Sequence, residues 1–216
     1  MTPELSTPDM IGGHAEVTPT IFYLIGFPGT GKFTVAKAME SLAADRDHHL
    51  VVVDNHYINN PIFGVINING SSPLADDVWH RVAEVGEAVF KTIETLSPRE
   101  WSFVFTNHLD HDDPAAWRWY RRLGQVARAR HSRFCPVRLL CGTDELCRRV
   151  TGPGRRERFK MVDPEGARRL AMTKRVFLPT DVDVLSLDIT DLGPYDAAQA
   201  IFDHPFRPTS RRRRWR

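Results

Sequence analysis

The sequence predicts a single three-layer α/β/α domain, with helices covering both faces of a parallel sheet. Three observations lead there. Short, continuously apolar segments of strand length alternate with longer stretches of helical period. The apolar segments show no polar alternation, so both of their faces are buried, and strands of that kind belong to parallel sheets. At 216 residues the chain suits one such domain with a full core.

Taken in order, strands are expected at 20–25, 50–53, 101–105, 136–141 and 183–187. The second carries Val51-Val52-Val53, the third Phe103-Val104-Phe105, and the fourth Val137 to Leu140 with one arginine. After the first strand, Val35, Met39 and Leu42 share one helical face. The longest helix runs from about Leu74 to Leu96. Its Val78, Val82, Val85, Val89, Ile93 and Leu96 recur at steps of three and four, and Ser97-Pro98 ends it. Asp113-Pro114 opens a helix reaching about Arg130. Thr143 opens a short one, with Asp144 and Glu145 placed to suit the helix dipole. Asp163-Pro164 opens the next as cap and first turn, and Gly193-Pro194 precedes a last helix near Tyr195 to Phe202. Open sheets of this class bind ligands beyond the carboxyl ends of their strands.

Composition bounds the rest. Hydrophobic residues at 42% and charged residues at 26% describe a soluble globular chain. No apolar run approaches the roughly 20 residues of a membrane span. Met1 to Pro19 has no basic n-region and no apolar h-region, which argues against a secretory signal. The expected organisation is an arm at 1–18, the domain at 19–204 and a basic tail at 205–216, in a cytoplasmic protein. The tail decides the sign of the charge. Lys and Arg number 29 against 27 Asp and Glu, and five of those bases are Arg211, Arg212, Arg213, Arg214 and Arg216, so the rest of the chain is at −3. Such a tail can touch nucleic acid, though a solvated end is the favoured reading. Cys135, Cys141 and Cys147 have no metal-ligand spacing and read as ordinary thiols. Trp117, Trp119, Arg118, Arg121 and Arg122 could stack bases, but a helix with buried tryptophan and exposed arginine explains them better.

The most specific motif lies at the end of the first strand. Gly26, Pro28, Gly29, Thr30, Gly31 and Lys32 belong to a G-x-x-x-x-G-K loop between an apolar strand and a helix, the context that motif requires. Its glycines let backbone N–H groups curl around an anion, and the helix N-terminus adds partial positive charge. Lys32 supplies a full charge for the β- and γ-phosphates of a nucleotide. One position departs from the pattern. Phe33 stands where Ser or Thr ordinarily ligates Mg²⁺, and Thr34 is turned about 100° away from that direction.

Two further groupings fall at the same sheet edge. Asp54 is the first polar residue after three valines, followed by Asn55, His56, Asn59 and Asn60. A carboxylate there can take a proton from a substrate hydroxyl or hold water on Mg²⁺; a helix cap is the alternative. Asn55, His56 and Asn59, with Asn107 from the end of the third strand, are candidates for binding a substrate. Thr106 occupies the place where phosphate-loop proteins commonly carry a metal-holding acid, which leaves Asp54 as the candidate metal residue. From Arg148 to Lys160, bases surround Gly152-Pro153-Gly154, as expected of a lid over about 151–163 whose guanidinium groups meet transferring charge. No zinc-ligand spacing and no G-x-S-x-G elbow occurs.

On Gly26 to Thr34, Asp54 to His56, Glu145 to Lys160 and Leu187-Asp188-Ile189-Thr190, the chain resembles the small P-loop kinases of the AAA-type P-loop NTPase superfamily. These include the shikimate, gluconate, adenylylsulfate and chloramphenicol phosphotransferase families. Ser72 to Trp79 also looks like a gluconate-kinase stretch. The resemblance implies a five-stranded parallel sheet of order 2-3-1-4-5, ATP as donor and a small-molecule hydroxyl as acceptor. It implies Asp54 as base, Arg149 as the residue packed on adenine, Arg155, Arg156 and Arg158 as lid arginines, and Thr190 in the loop beside the base. Lys32, Asp54, Arg155 and Arg158 would then be catalytic. Alternatives are a nucleotide-binding regulator without catalysis, or a kinase or toxin acting on nucleic acid or a nucleotide-sugar.

Overall fold

The computed structural model describes residues 18–68, 74–180 and 184–204. The arm up to residue 17, Ser72-Pro73 and the arginine tail lie outside the described residues. Five strands, β1 (Thr20–Ile25), β2 (Leu50–Asp54), β3 (Ser102–Asn107), β4 (Arg133–Leu140) and β5 (Leu185–Asp188), form one sheet of order β2-β3-β1-β4-β5. Every pairing is parallel. Around it lie α1 (Lys32–Ala44), α2 (Asn55–Val65), α3 (Asp76–Thr95), α4 (Pro114–Ala129), α5 (Thr143–Val150), α6 (Pro164–Thr173) and α7 (Pro194–Asp203).

β1 shows why the sheet is buried on both sides. All six of its residues are buried, and alternate ones serve different cores. Ile21, Tyr23 and Ile25 pack with Val82, Phe90 and Ile93 of α3 and Tyr120 and Leu123 of α4. Phe22 and Leu24 pack with Val35, Met39 and Leu42 of α1 and Ala198 and Ile201 of α7. A sequence that must satisfy two hydrophobic layers has no room for polar alternation, which is why the strands read as apolar runs.

Two helix starts follow from side-chain chemistry anticipated above. Asp113 accepts from the Ala115 N–H at 2.8 Å and Asp163 from the Glu165 N–H at 3.0 Å, each ahead of a proline in the first turn. The strand ends differ from the periodicity by a few residues. β4 begins at Arg133, because Arg133 and Phe134 pair with Thr20 and Ile21, and Pro136 precedes the stretch on which β5 pairs.

α2 has no counterpart in the sequence expectation. It starts directly at the end of β2, with Asp54 both closing the strand and capping the helix. Asn59, Asn60 and Pro61 look like loop residues, and Pro61 removes one intrahelical bond. Burial of Ile58 and Phe63 overrides that local preference.

Candidate functional site

The site is a cleft of about 440 Å³ at the carboxyl ends of β1, β2 and β3, closed on one side by residues 152–161. Its floor is the turn between β1 and α1. Gly29 and Gly31 have φ of +88° and +103°, which L side chains rarely adopt. A Cβ on Gly29 would also stand 2.7 Å from Val150 Cγ1, so only glycine lets the loop lie against α5. Thr30 is buried and locks the turn by donating its hydroxyl to the Phe27 carbonyl at 2.6 Å. Because α1 begins at Lys32 after a glycine, no side chain caps it, and no acid lies in its first turn. Its leading N–H groups therefore face the cleft without an internal partner.

Pro28, Gly29, Gly31, Lys32, Phe33 and Thr34 line the cleft, whereas Gly26 lies behind it, donating its N–H to the Asn107 carbonyl at 3.2 Å. Lys32 Nζ folds back on its own loop, donating to the Gly26 and Phe27 carbonyls at 2.7 and 2.8 Å. Burial, with Lys160 and Arg155 near, pushes its ammonium down to about 7 against the opposing pull of Asp54. A polyphosphate anion there would favour the charged form.

Asp54 is 3% exposed and faces the same cleft. Its Oδ1 accepts from the Thr106 hydroxyl at 2.8 Å and, more distantly, from the His56 N–H at 3.4 Å; its Oδ2 accepts from Lys160 Nζ at 2.8 Å. Burial alone would raise this carboxyl, but the Lys160 ammonium and the Thr106 hydroxyl outweigh it and hold the group below the usual carboxylate range. Thr106 thus orients Asp54 from the adjacent strand. Asn55 and His56 also line the cleft. His56 Nδ1 lies 3.1 Å from Asn60 Oδ1, which can only accept, so Nδ1 carries the proton and Nε2 is the acceptor. Burial pushes His56 to about 4, and His108 to about 4 as well, so both are neutral near pH 7.

Asn59 and Asn107 are elsewhere. Asn59 is buried in α2, outside the cleft lining. Asn107 donates its amide to the Tyr23 hydroxyl at 3.2 Å and accepts from the His108 N–H at 2.8 Å. The first of those bonds ties β3 to β1, and Asn107 lies outside the cleft lining.

Arg149 joins three segments. Its Nε donates to Glu145 at 2.6 Å, Nη1 to the Thr30 carbonyl at 2.8 Å, and Nη2 to the Ile189 and Thr190 carbonyls, each at 3.0 Å. Thr190 itself does not line the cleft; its hydroxyl donates to Asp188 at 2.6 Å and accepts from the Gly142 N–H at 2.8 Å. The segment 151–163 is a loop with a single 3₁₀ turn at Arg156–Arg158. Arg155 and Arg158 line the cleft, Arg155 half-buried with its Nε on the Met161 carbonyl at 2.9 Å. Arg156 is exposed and outside the lining.

Three lining residues go beyond the expectations above: Lys160 and Thr106, which both bond Asp54, and His108, which lines the cleft. Lys160 is visible in the sequence only as one base among several.

As placed, the side chains present no ready-made set of metal ligands. Magnesium requires oxygen donors. At position 33 the chain offers a ring, at 106 a hydroxyl already donating to Asp54, and at 54 a carboxylate engaged by Lys160. Among the described residues, no group of three His, Cys, Asp or Glu side chains could hold a metal ion.

No protein-family model and no curated protein sequence matches the chain. Solved structures do match. Chaetomium thermophilum Kti12, solved with ADP-AlF3, is 14% identical with a TM-score of 0.56 over 86% of this chain and 97% of its own. The Mycobacterium tuberculosis APS kinase CysC, solved with AMPPNP and APS, is 13% identical with a TM-score of 0.55 over 88% and 99%. A gluconokinase from Sinorhizobium meliloti 1021 is 14% identical with a TM-score of 0.50 over 87% and 94%. The fold is that of the P-loop kinases. The strand order β2-β3-β1-β4-β5 agrees with the order that the resemblance implied. No helix among the described residues is long and apolar enough to cross a membrane.

Proposed function

We propose that this protein is a phosphotransferase that moves the γ-phosphoryl group of ATP to a hydroxyl of a small molecule in the cytoplasm. One observation carries the reading: the Asp54 carboxylate and the phosphate-binding turn face a single cleft. The nucleotides bound to Kti12 and to the APS kinase, in chains of the same fold, agree with it.

In this reading the loop N–H groups and Lys32 hold the β- and γ-phosphates. Asn55 and His56 Nε2 orient the acceptor, and Arg155 and Arg158 meet charge on the equatorial oxygens. The acceptor oxygen bonds to the γ-phosphorus while the bridging P–O bond breaks, and its electron pair leaves with ADP. The hydroxyl proton passes to Asp54 Oδ2, which Lys160 must first vacate. Arg149, which lines the cleft, flanks the adenine.

The test is calorimetry with AMPPNP, followed by an ADP-release screen over sugars, amino alcohols, nucleosides and antibiotics. Lys32→Ala is expected to weaken AMPPNP binding roughly 10- to 100-fold, the size of a lost charge-assisted contact. Retention of full affinity by that variant would refute the site. A nucleotide-binding regulator is the second reading, favoured by the Lys160–Asp54 pair that occupies the base. It predicts AMPPNP binding with no ADP release above the no-acceptor rate.

A further inference from the structure

We propose that the cleft takes its nucleotide without a divalent ion, the Lys160 ammonium standing in for the metal. The inference deepens the nucleotide-binding reading above and rests on it. It starts from what surrounds position 33. Lys160 Nζ lies 4.7 Å from the centroid of the Phe33 ring, and the Arg158 guanidinium carbon 5.6 Å from it. The ring itself is edge-on to Tyr57 at 6.4 Å between centroids. A residue that ligates a hard cation must present oxygen. Phe33 instead presents the negative face of an aromatic ring, which attracts organic cations. The same substitution that removes the metal ligand builds a seat for an ammonium group.

Lys160 is held on that seat from two sides. Its side chain is 14% exposed, and its Nζ is 2.8 Å from Asp54 Oδ2. It therefore bridges the ring at the start of α1, where the motif would place a metal ligand, and the carboxylate at the end of β2, whose other oxygen is held by Thr106. The wider charge balance agrees. Lys32, Arg148, Arg149, Arg155, Arg158 and Lys160 line the cleft, against the single carboxylate of Asp54. Glu145, outside the lining, pairs with Arg148 and Arg149, and Asp54 with Lys160, so the lining's bases outnumber the carboxylates that pair with them. Such a cleft neutralises a polyphosphate by itself, and an added dication would meet repulsion from a cationic wall. Since an ammonium is a compact, strongly hydrated point charge on a flexible stem, Lys160 can keep contact with Asp54 or turn to the phosphates.

The experiment is titration calorimetry of the full chain with AMPPNP, in excess EDTA and in excess MgCl2. Binding in EDTA is expected to be at least as tight as in MgCl2. Lys160→Met is expected to weaken binding by about tenfold or more in EDTA, as loss of one charge-assisted phosphate contact would. Its melting curve serves as the check of fold. Wild-type binding that weakens about tenfold or more on chelation would overturn the inference while leaving the nucleotide site standing. Unchanged EDTA affinity in a folded Lys160→Met variant would also overturn it. Absence of binding in both solutions would remove the nucleotide reading itself, and this inference with it.

Discussion

Asp54 shows how one side chain can hold a strand end, a helix start and a functional cleft together. It caps α2, receives the Thr106 hydroxyl from β3 and pairs with Lys160 of the loop after α5. Removing its charge would leave a buried ammonium without its partner, the costly side of breaking a buried pair. The neighbouring histidines set a pH limit. His56 and His108 are each pushed to about 4 by burial, from an ordinary value of 6.5. Between those values the unfolded chain binds more protons than the folded one, so stability falls as pH is lowered through that window. Asp54, held below its ordinary value, adds to the loss at the acid end. The expected slope is up to about 1.4 kcal/mol per pH unit for each histidine. Thermal melts from pH 6.5 to 4.5 check it, and a His56→Gln/His108→Gln variant should flatten the curve. The phosphate turn was legible at this scale because backbone shape demands glycine at fixed spacing, and Asp54 because polarity changes abruptly after three valines. Lys160 was not legible: its partner lies 106 residues away, and a lysine in a basic run looks like every other solvated lysine.

At the scale of elements, α3 and α4 are joined by arginines whose partners are distant in sequence. Arg122 donates to Glu87 at 2.8 Å and to Glu94 at 2.6 Å, both on α3. Arg130, 2% exposed, follows α4 and donates to the Ile93 carbonyl at 2.6 Å and the Pro98 carbonyl at 2.5 Å, with its guanidinium 4.9 Å from the Phe103 ring centroid. It thus closes the carbonyl end of α3 from outside. Arg130→Ala is expected to destabilise the fold by ~2–4 kcal/mol, since it strands buried carbonyls and leaves a cavity. Urea unfolding would measure it, and a loss below ~1 kcal/mol would refute the role. Helix periods and caps made α3, α4 and α6 readable in advance. α2 escaped because its Asn59-Asn60-Pro61 core carries turn chemistry, and only packing of Ile58 and Phe63 makes it helical.

For the whole molecule, sheet class could be argued from apolar runs alone, whereas strand order required a resemblance: hydrophobic patterning records which strands are buried and nothing about which are adjacent. That order has a testable side. β1 lies at the centre, paired with β3 and β4, so Ile21 meets Phe103 and Phe134. A chain truncated after residue 131 would keep β1, β2 and β3 but lose β4 and β5. It is expected to lack a cooperative melt, and a sharp transition near that of the intact chain would refute this. The centrality of β1 also has a consequence during synthesis. After β1 leaves the ribosome, about eighty further residues must follow before its first neighbour, β3, exists, and β4 must follow before its other edge is covered. Until then a largely apolar ribbon has an open edge, the kind of segment that sticks to other copies unless it is held or covered quickly.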